Sequence, residues 1–458
     1  MKPPSRSPSI RNKVGPPVRG EDFFERDTES KELWHLANRG HVLFLAPRRA
    51  GKTSVLLHMV DKPQAGWSSV FFSAESLSTE AQFVARLTGQ LEVDLAQSIG
   101  KDWQDAGAAA LRELRRQGRN VVVLVDEFGV FVHHLFSDRA EGARRARRFL
   151  DWFREVRNAR EPADGLVHFV LTSSMELDAL VRATGMSSTL NDLAVFRLGP
   201  LTNDQADGLL QRLGAGEDLP LSPALRKRIL AHLDWPIPFH VQLMFSAVLR
   251  RVRFHGHHLD QALIDEAYTS LLSPENRGHF NFWLEYLNAK LAGQDEGNLK
   301  ISLLEMAARD PQGLGWNQAI QAGKKTAPGL DVDAALASLE YDGYLSRQEN
   351  RWRFASSLLR DWWRIWAVKA PPRERKPPKP AAPEGALPRE QVRDAVRAVH
   401  VLPGPAGDWE VRRMGQRRVI RRFETKEAAV SFGEKLARDR GSDLRIHPRA
   451  RQSLAIAG

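Results

Sequence analysis

Apolar positions along this chain fall into two patterns that take turns. In one, several neighbours in a row are apolar: residues 42–45 (Val-Leu-Phe-Leu), 121–125 (Val-Val-Val-Leu-Val) and the largely apolar 166–171. Unbroken runs of this length suit strands covered on both faces, as in a parallel sheet. Residues 69–72 and 194–198 give two further strand signals. In the other pattern apolar residues recur at helical spacing. This holds for residues 54–60, a long stretch through Leu87 and Leu91, residues 108–116 with Leu111 and Leu114, and residues 144–156. Gly118 ends the third of these just before the Val121 run, as a helix stop should. Strand and helix alternating over residues 21–199 predict an α/β domain with three layers around a parallel sheet.

The pattern then changes. Residues 200–296 give only helical signals, beginning with a capping box at Thr202 and Gln205 ahead of Ala206, Leu209 and Leu210. A second helix covers 223–232, and a third starts near Phe239 after Trp235-Pro236-Ile237-Pro238. Residues 297–369 predict three short helices (301–307, 316–322, 333–341), a stop at Gly343, and a hairpin of Tyr344-Leu345-Ser346 and Trp352-Arg353-Phe354 around Glu349-Asn350. Three helices followed by a hairpin is the winged-helix order. Ser356 caps a last helix with Leu358, Leu359, Trp362, Trp363 and Trp366, whose helical spacing marks the tryptophans as core. Residues 370–390 hold seven prolines and predict a stiff linker. Residues 391–458 predict a small α+β domain, with strands at 399–402, 409–411, 419–423 and 444–446 and a helix from Thr425 to Gly441. At the other end, residues 1–20 have five prolines and little apolar content, which predicts a disordered arm.

The first strand leads into the most specific chemistry in the chain. Residues 42–55 read Val-Leu-Phe-Leu-Ala-Pro-Arg-Arg-Ala-Gly-Lys-Thr-Ser-Val. Strand, tight loop and helix in this order make a phosphate loop, with backbone N–H groups and the helix N-terminus aimed at phosphates. Ala46, Pro47, Arg48, Arg49, Ala50, Gly51, Lys52, Thr53 and Ser54 are the candidate nucleotide-binding residues. Ala46 stands where such a loop usually has its first glycine, so the entry must accept a methyl. Lys52 is expected to reach the β- and γ-phosphates and Thr53 to offer its hydroxyl to Mg²⁺. Asp126 and Glu127 fall at the C-terminal end of the Val121 strand, where open α/β sheets bind ligands. There Asp126 is the candidate second holder of Mg²⁺, and Glu127 the group that polarises the attacking water. Two such elements in this order predict a site for ATP or GTP. Thr172-Ser173-Ser174 ends the next strand. A hydroxyl of Thr172 or Ser174 would sense the γ-phosphate there, or these residues simply cap the following helix.

Bulk properties limit the rest. The chain has 458 residues, 42% of them apolar, enough for about three domains. No apolar run approaches the ~20 residues of a membrane span, and residues 1–20 lack the apolar centre of a secretory signal. Cysteine is absent, which excludes disulfides and thiolate chemistry. A cytoplasmic protein fits these properties. The net charge of +11 is uneven: +5 in residues 1–20, +9 in 370–458 and −3 between them. Basic ends suggest nucleic acid or another acidic surface, or serve solubility alone. His255-Gly256-His257-His258 reads as a solvated loop rather than a metal cluster, and His133-His134 as part of the turn after the Asp126 strand. Ser173-Ser174 carries no nucleophile signature.

Residues 21 to about 369 resemble the archaeal-type P-loop ATPases of the AAA+/STAND group. Phe24-Glu25-Arg26-Asp27 with Glu32-Leu33 is similar to that family's entry box, F-x-R-E followed by E-L. Residues 47–54 are close to its P-R-R-x-G-K-T-S loop, and Val125-Asp126-Glu127-Phe128 to its D-E-F strand end. Leu171-Thr172-Ser173-Ser174 is similar to its T-G-S segment, with Ser173 in place of Gly. Leu198-Gly199-Pro200-Leu201 is similar to its passage into the lid, and Ile237-Pro238-Phe239 to its G-x-P element, with Pro236 where Gly is usual. Asp342-Gly343-Tyr344-Leu345 looks like its winged-helix signature. Residues 399–447 resemble a small bacterial domain family of unknown function, through His400-Val401-Leu402-Pro403, Trp409-Glu410-Val411, Thr425-Lys426-Glu427-Ala428 and Ile446-His447. The first resemblance implies ATP as the nucleotide, Arg26 near its adenine side, and Thr172 and Ser174 as γ-phosphate sensors. It names no arginine finger. It also implies a chain that acts as a switch rather than a fast enzyme.

The expected organisation is a disordered basic arm (1–20), a P-loop ATPase core (21–199), a helical lid (200–296), a winged-helix domain (297–369), a Pro-rich linker (370–390) and a small basic α+β domain (391–458). Two functions are expected of an Mg²⁺-dependent ATPase so built. One is a signalling or defence switch with a protein partner. The other is a DNA-associated ATPase with its winged helix and basic ends on nucleic acid. An ATP-dependent oligomer is a further partner state, and no membrane partner is expected.

Overall fold

The computed structural model describes residues 10–24, 26–91, 102–137, 141–159, 165–173, 177, 181, 184–290, 294–367, 399–404, 408–413, 420–438 and 444–446, in two compact units divided after Ala370. The first unit opens with α1 (Asp27–Ala37), β1 (Val42–Leu45), α2 (Lys52–Asp61) and β2 (Trp67–Ser73). It continues through α3 (Glu80–Leu91), α4 (Trp103–Arg116), β3 (Asn120–Asp126), α5 (Phe128–Phe136), α6 (Gly142–Asn158), β4 (Val167–Ser173) and β5 (Ala194–Arg197). The five strands are parallel, in the order β2-β3-β4-β1-β5. Every residue of β1 and β4, and all of β3 except Asn120, is buried, as their unbroken apolar runs require. β5, at the edge, exposes three of its four residues.

Burial on both faces gives two cores, because alternate side chains point to opposite sides of a strand. Leu43, Leu45, Val121, Val123, Val125, Phe169 and Leu171 face one layer. There Phe83, Phe128, Phe131, Phe149 and Phe153 make a fully buried aromatic cluster, with Phe83 and Phe131 at 4.9 Å and Phe131 and Phe149 at 5.0 Å between centroids. Such pairs add about 0.5–1.5 kcal/mol each beyond burial. Val42, Phe44, Val122, Leu124 and Val170 face the other layer, and that core continues into the helices that follow.

Those helices are α7 (Asn203–Gly216), α8 (Pro223–His232), α9 (Pro238–His255), α10 (Gln261–Leu271), α11 (Gly278–Lys290) and α12 (Gln294–Arg309). The capping box at Thr202 and Gln205 is formed as expected. Next come β6 (Leu314–Gly315), α13 (Trp316–Thr326), α14 (Val332–Tyr341), β7 (Leu345–Gln348), β8 (Arg351–Phe354) and α15 (Ser357–Trp362). β6, β8 and β7 form an antiparallel sheet. Trp362 and Trp363 are fully buried with Trp283 and Tyr344, and Trp366 packs half-buried against the same core. Gly343 turns between α14 and β7 with φ 76, and a methyl on it would stand 2.9 Å from Pro47 Cβ and 2.7 Å from the Trp235 ring. This turn therefore leans on the loop that follows β1. Among the described residues no helix is long and apolar enough to cross a membrane.

The arm expected to be disordered is a correction over residues 10–20. Ile10 is buried in the core, Lys13 pairs with Asp22 at 2.7 Å, and Arg19 pairs with Asp61 on α2. Asn12 Nδ2 donates to Gln242 O on α9 at 3.3 Å, and the Val18 N–H to Ser54 Oγ at 3.1 Å. Two acidic partners and one buried Ile hold a segment whose own composition offers no core. Residues 1–9 and the expected linker at 370–390 lie outside the described residues.

The second unit holds β9 (Val399–Pro403), β10 (Trp409–Arg413), β11 (Arg421–Phe423), α16 (Lys426–Arg438) and β12 (Leu444–Ile446). The sheet runs β11-β10-β9-β12, with β12 parallel to β9 and the other pairs antiparallel. Val399, Val401, Trp409, Val411, Ala429 and Ala437 form its core.

Candidate functional site

The loop from Ala46 to Gly51 connects β1 to α2. Ala46 is buried and does not take a positive φ, so its methyl is accommodated. The left-handed positions are Arg49 (φ 64) and Gly51 (φ 101), and Gly51 is the N-cap of α2. Lys52 begins the helix with its side chain buried, and its Nζ donates to Ala46 O at 3.1 Å. Burial pushes this ammonium below its ordinary pKa, and the charges of Glu127 and Asp126 partly offset that.

Asp126 closes β3 and is buried. Its Oδ2 accepts from Thr53 Oγ1 at 2.6 Å, and its Oδ1 from Thr172 Oγ1 at 2.7 Å. Thr172 Oγ1 in turn accepts the Glu127 N–H at 2.8 Å. Strand order explains the triad. β4 lies between β1 and β3, so the tip of β4 stands between the loop and the acidic pair, and Thr172 fills that place. The hydroxyl expected to sense a phosphate is fully buried and spans the two carboxylate residues. Ser174, the companion candidate, lies outside the described residues. Glu127 adopts φ 55 as the N-cap of α5, and its Oε2 is buried and accepts no hydrogen bond from the described residues.

A cavity of about 420 Å³ opens above these groups. Arg48, Lys52, Thr53 and Glu127 line its polar side, and Phe23, Phe239 and Phe282 its apolar side. Pro16, Pro17 and Val18 of the arm form a further wall. Arg26 reaches the cavity edge, with Nη2 donating to Gly199 O at 2.8 Å and Nη1 to Glu29 Oε1 at 2.5 Å. Of the remaining loop candidates, Pro47 supports Gly343, Ala50 is buried, and Ser54 accepts from Val18. Arg49 stacks on Phe239 and Phe282. Sequence reading missed the arm as a cavity wall, because its contacts are to residues distant along the chain.

The donor set fits Mg²⁺. Thr53 Oγ1 and Asp126 Oδ2 are adjacent hard oxygens beside an open cavity, and Mg²⁺ is held by one or two protein oxygens while keeping several waters. Among the described residues no group of three or more His, Asp or Glu converges as a metal site, and His255, His257 and His258 are exposed.

Residues 35–181 match a family described as an AAA domain. Residues 399–452 match one described as an uncharacterized protein conserved in bacteria. Among solved structures, the Walker-type ATPase of Pyrococcus abyssi is similar with a TM-score of 0.57 at 17% identity, over 77% of this chain and 99% of that one. The ORC2 protein of Aeropyrum pernix, solved as ADPNP and ADP complexes, is similar with a TM-score of 0.51 at 14% identity, over 78% of this chain and 96% of that one. At such identities the likeness is one of fold. No curated protein matches the chain. The chain thus carries an AAA-type P-loop domain, and its second unit carries a domain conserved in bacteria.

Proposed function

We propose that this AAA-domain chain is an Mg²⁺-dependent ATPase that works as a slow ATP-driven switch on a protein partner in signalling or defence. The observation that carries the ATPase reading is the 2.6 Å hydrogen bond between Thr53 and Asp126 beneath the cavity. It brings the two oxygens a nucleotide-bound Mg²⁺ needs to one point. The ion, when bound, neutralises charge on the β- and γ-phosphates. Lys52 supplies a second positive charge from a desolvated position, where it acts most strongly. Oε2 of Glu127, which has no partner among the described residues, is the acceptor for the proton of an attacking water. Thr172 fixes both carboxylate residues by hydrogen bonds, so its role is positioning. Arg26 lies toward the adenine end.

The switch reading rests on the contact of Gly343 with Pro47. In the proposed division, residues 21–199 are the core, 200–296 a lid and 297–369 a winged helix. The winged-helix turn then touches the phosphate loop itself. Asp342 beside it is buried and within electrostatic reach of Lys52. The outward face of α14 carries Asp333, Ala334 and Ala337 and no cation. A helix that reads DNA needs positive charge there, so the protein-partner reading is preferred.

Lys52→Ala tests the site. Binding of a fluorescent ATP analogue with Mg²⁺ is expected to be lost, and unchanged affinity would overturn the phosphate-loop assignment.

A further inference from the structure

Arg49 holds a backbone conformation that side chains with a Cβ adopt at a cost, with φ 64. Its surroundings must therefore hold it, and they do so through the guanidinium. The guanidinium carbon lies 4.7 Å from the ring centroid of Phe239 on α9 and 4.7 Å from that of Phe282 on α11. One cation thus joins the loop to two helices. Gly15 of the arm packs on the same group, since a methyl there would stand 2.7 Å from Nη1. Arg49, Phe239, Phe282 and Gly15 all line the cavity.

Two attractions compete for this guanidinium. A ring face draws it through a quadrupole. A phosphate carries full negative charge and accepts two parallel hydrogen bonds from the planar fork, a stronger and more directional bond. Partial burial and the charge of Arg48 also hold Arg49 below its ordinary pKa, a cost that a nearby phosphate relieves.

We propose that Arg49 has two alternative partners: the ring pair Phe239 and Phe282, and the terminal phosphate of a bound nucleoside triphosphate, so that a triphosphate loosens the loop's hold on α9 and α11. This rests on the nucleotide reading above and adds how that site discriminates triphosphate from diphosphate. Binding free energies are reciprocal. If triphosphate weakens the stacking, removing the stacking must tighten triphosphate binding by the same factor. Diphosphate, which lacks the competing group, is indifferent.

The test uses the full chain and titrations with fluorescent ATPγS and ADP in Mg²⁺. Four proteins are compared: the natural chain, Phe239→Leu with Phe282→Leu, Arg49→Gln, and all three substitutions together. Leu keeps apolar bulk without a ring face. The Leu pair is expected to raise the ratio of ATPγS to ADP affinity by about fivefold or more, at the low end of coupling between sites. In the Arg49→Gln background the same Leu pair should leave that ratio unchanged. If ATPγS and ADP affinities shift together, or the Leu effect survives without Arg49, the rings act on their own and the proposal fails. If the Leu pair lowers the melting temperature too far for titration, Phe282→Leu alone, at the half-buried ring, provides the same comparison. No binding of either nucleotide by the natural chain would sink the nucleotide reading instead.

Discussion

Glu127 is the residue where local strain and chemistry coincide. Its φ of 55 turns the chain sharply from β3 into α5 and leaves one carboxylate oxygen without a partner among the described residues, beside the cavity. Such positions persist when the surroundings over-determine them, and here Thr172 does so by accepting the Glu127 N–H. Glu127→Gln keeps the volume and removes the proposed base. Nucleotide binding should persist while single-turnover ATP hydrolysis slows by about 10²-fold or more, and an unchanged rate would assign the water to another group. Thr172→Val makes a different cut. It strips a donor from Asp126 and an acceptor from Glu127, so the Mg²⁺ concentration for half-maximal hydrolysis should rise about tenfold, as for groups that orient metal ligands. Thr172→Ser should restore it. An unaltered Mg²⁺ requirement with weaker γ-phosphate discrimination would favour the sensor role instead. That Lys52 and Thr53 open the helix after β1, and that Asp126 and Glu127 stand at the end of β3, was legible in the sequence because each placement is local to one strand end. The inward turn of Thr172 was not, because it depends on β4 lying between β1 and β3, which no local spacing encodes.

At the scale of elements, the buried strands were the easiest to read. Covering both faces removes polar positions, so β1, β3 and β4 appear as unbroken apolar runs. The capping box at Thr202 and the Gly343 stop were legible for the same reason, since each acts within a few residues. The arm at residues 10–20 was not, because Asp22, Asp61, Ser54 and Gln242, which hold it, lie elsewhere in the chain. β6 also escaped, at only two residues. The turn at Gly343 makes a testable joint between α14 and the phosphate loop. Gly343→Ala sets a methyl against Pro47 and Trp235 in a left-handed backbone. The fold should lose about 1–3 kcal/mol, the range for a strained site of this kind, and hydrogen exchange at 332–345 should quicken. Protection unchanged from the natural chain would show that this contact does not restrain the segment.

At the scale of the whole molecule, buried histidines set a pH limit. His41 accepts the Phe169 N–H at Nδ1 and donates from Nε2 to Arg157 O, so its ring is neutral. Burial pushes its pKa down to about 3, and burial likewise pushes His240 down to about 4. The unfolded chain, with ordinary values near 6.5, binds these protons first. Stability is therefore full above about pH 6.5 and falls as pH drops toward the folded values, by roughly 2 kcal/mol for each histidine at pH 5. Melting temperatures from pH 7.5 to 5 should decline, and His41→Gln should flatten that slope even if it lowers the starting value. The arm adds a consequence of another kind. Its ion pairs, Lys13 with Asp22 and Arg19 with Asp61, are each partly exposed, and mobile ions weaken such pairs within a Debye length of about 8–10 Å. Raising ionic strength should thus loosen one wall of the proposed nucleotide cavity while it screens the phosphates. A plot of log affinity against log salt will then be steeper than the phosphate charge alone dictates, and only a version lacking the first twenty residues will give the slope that belongs to the ligand.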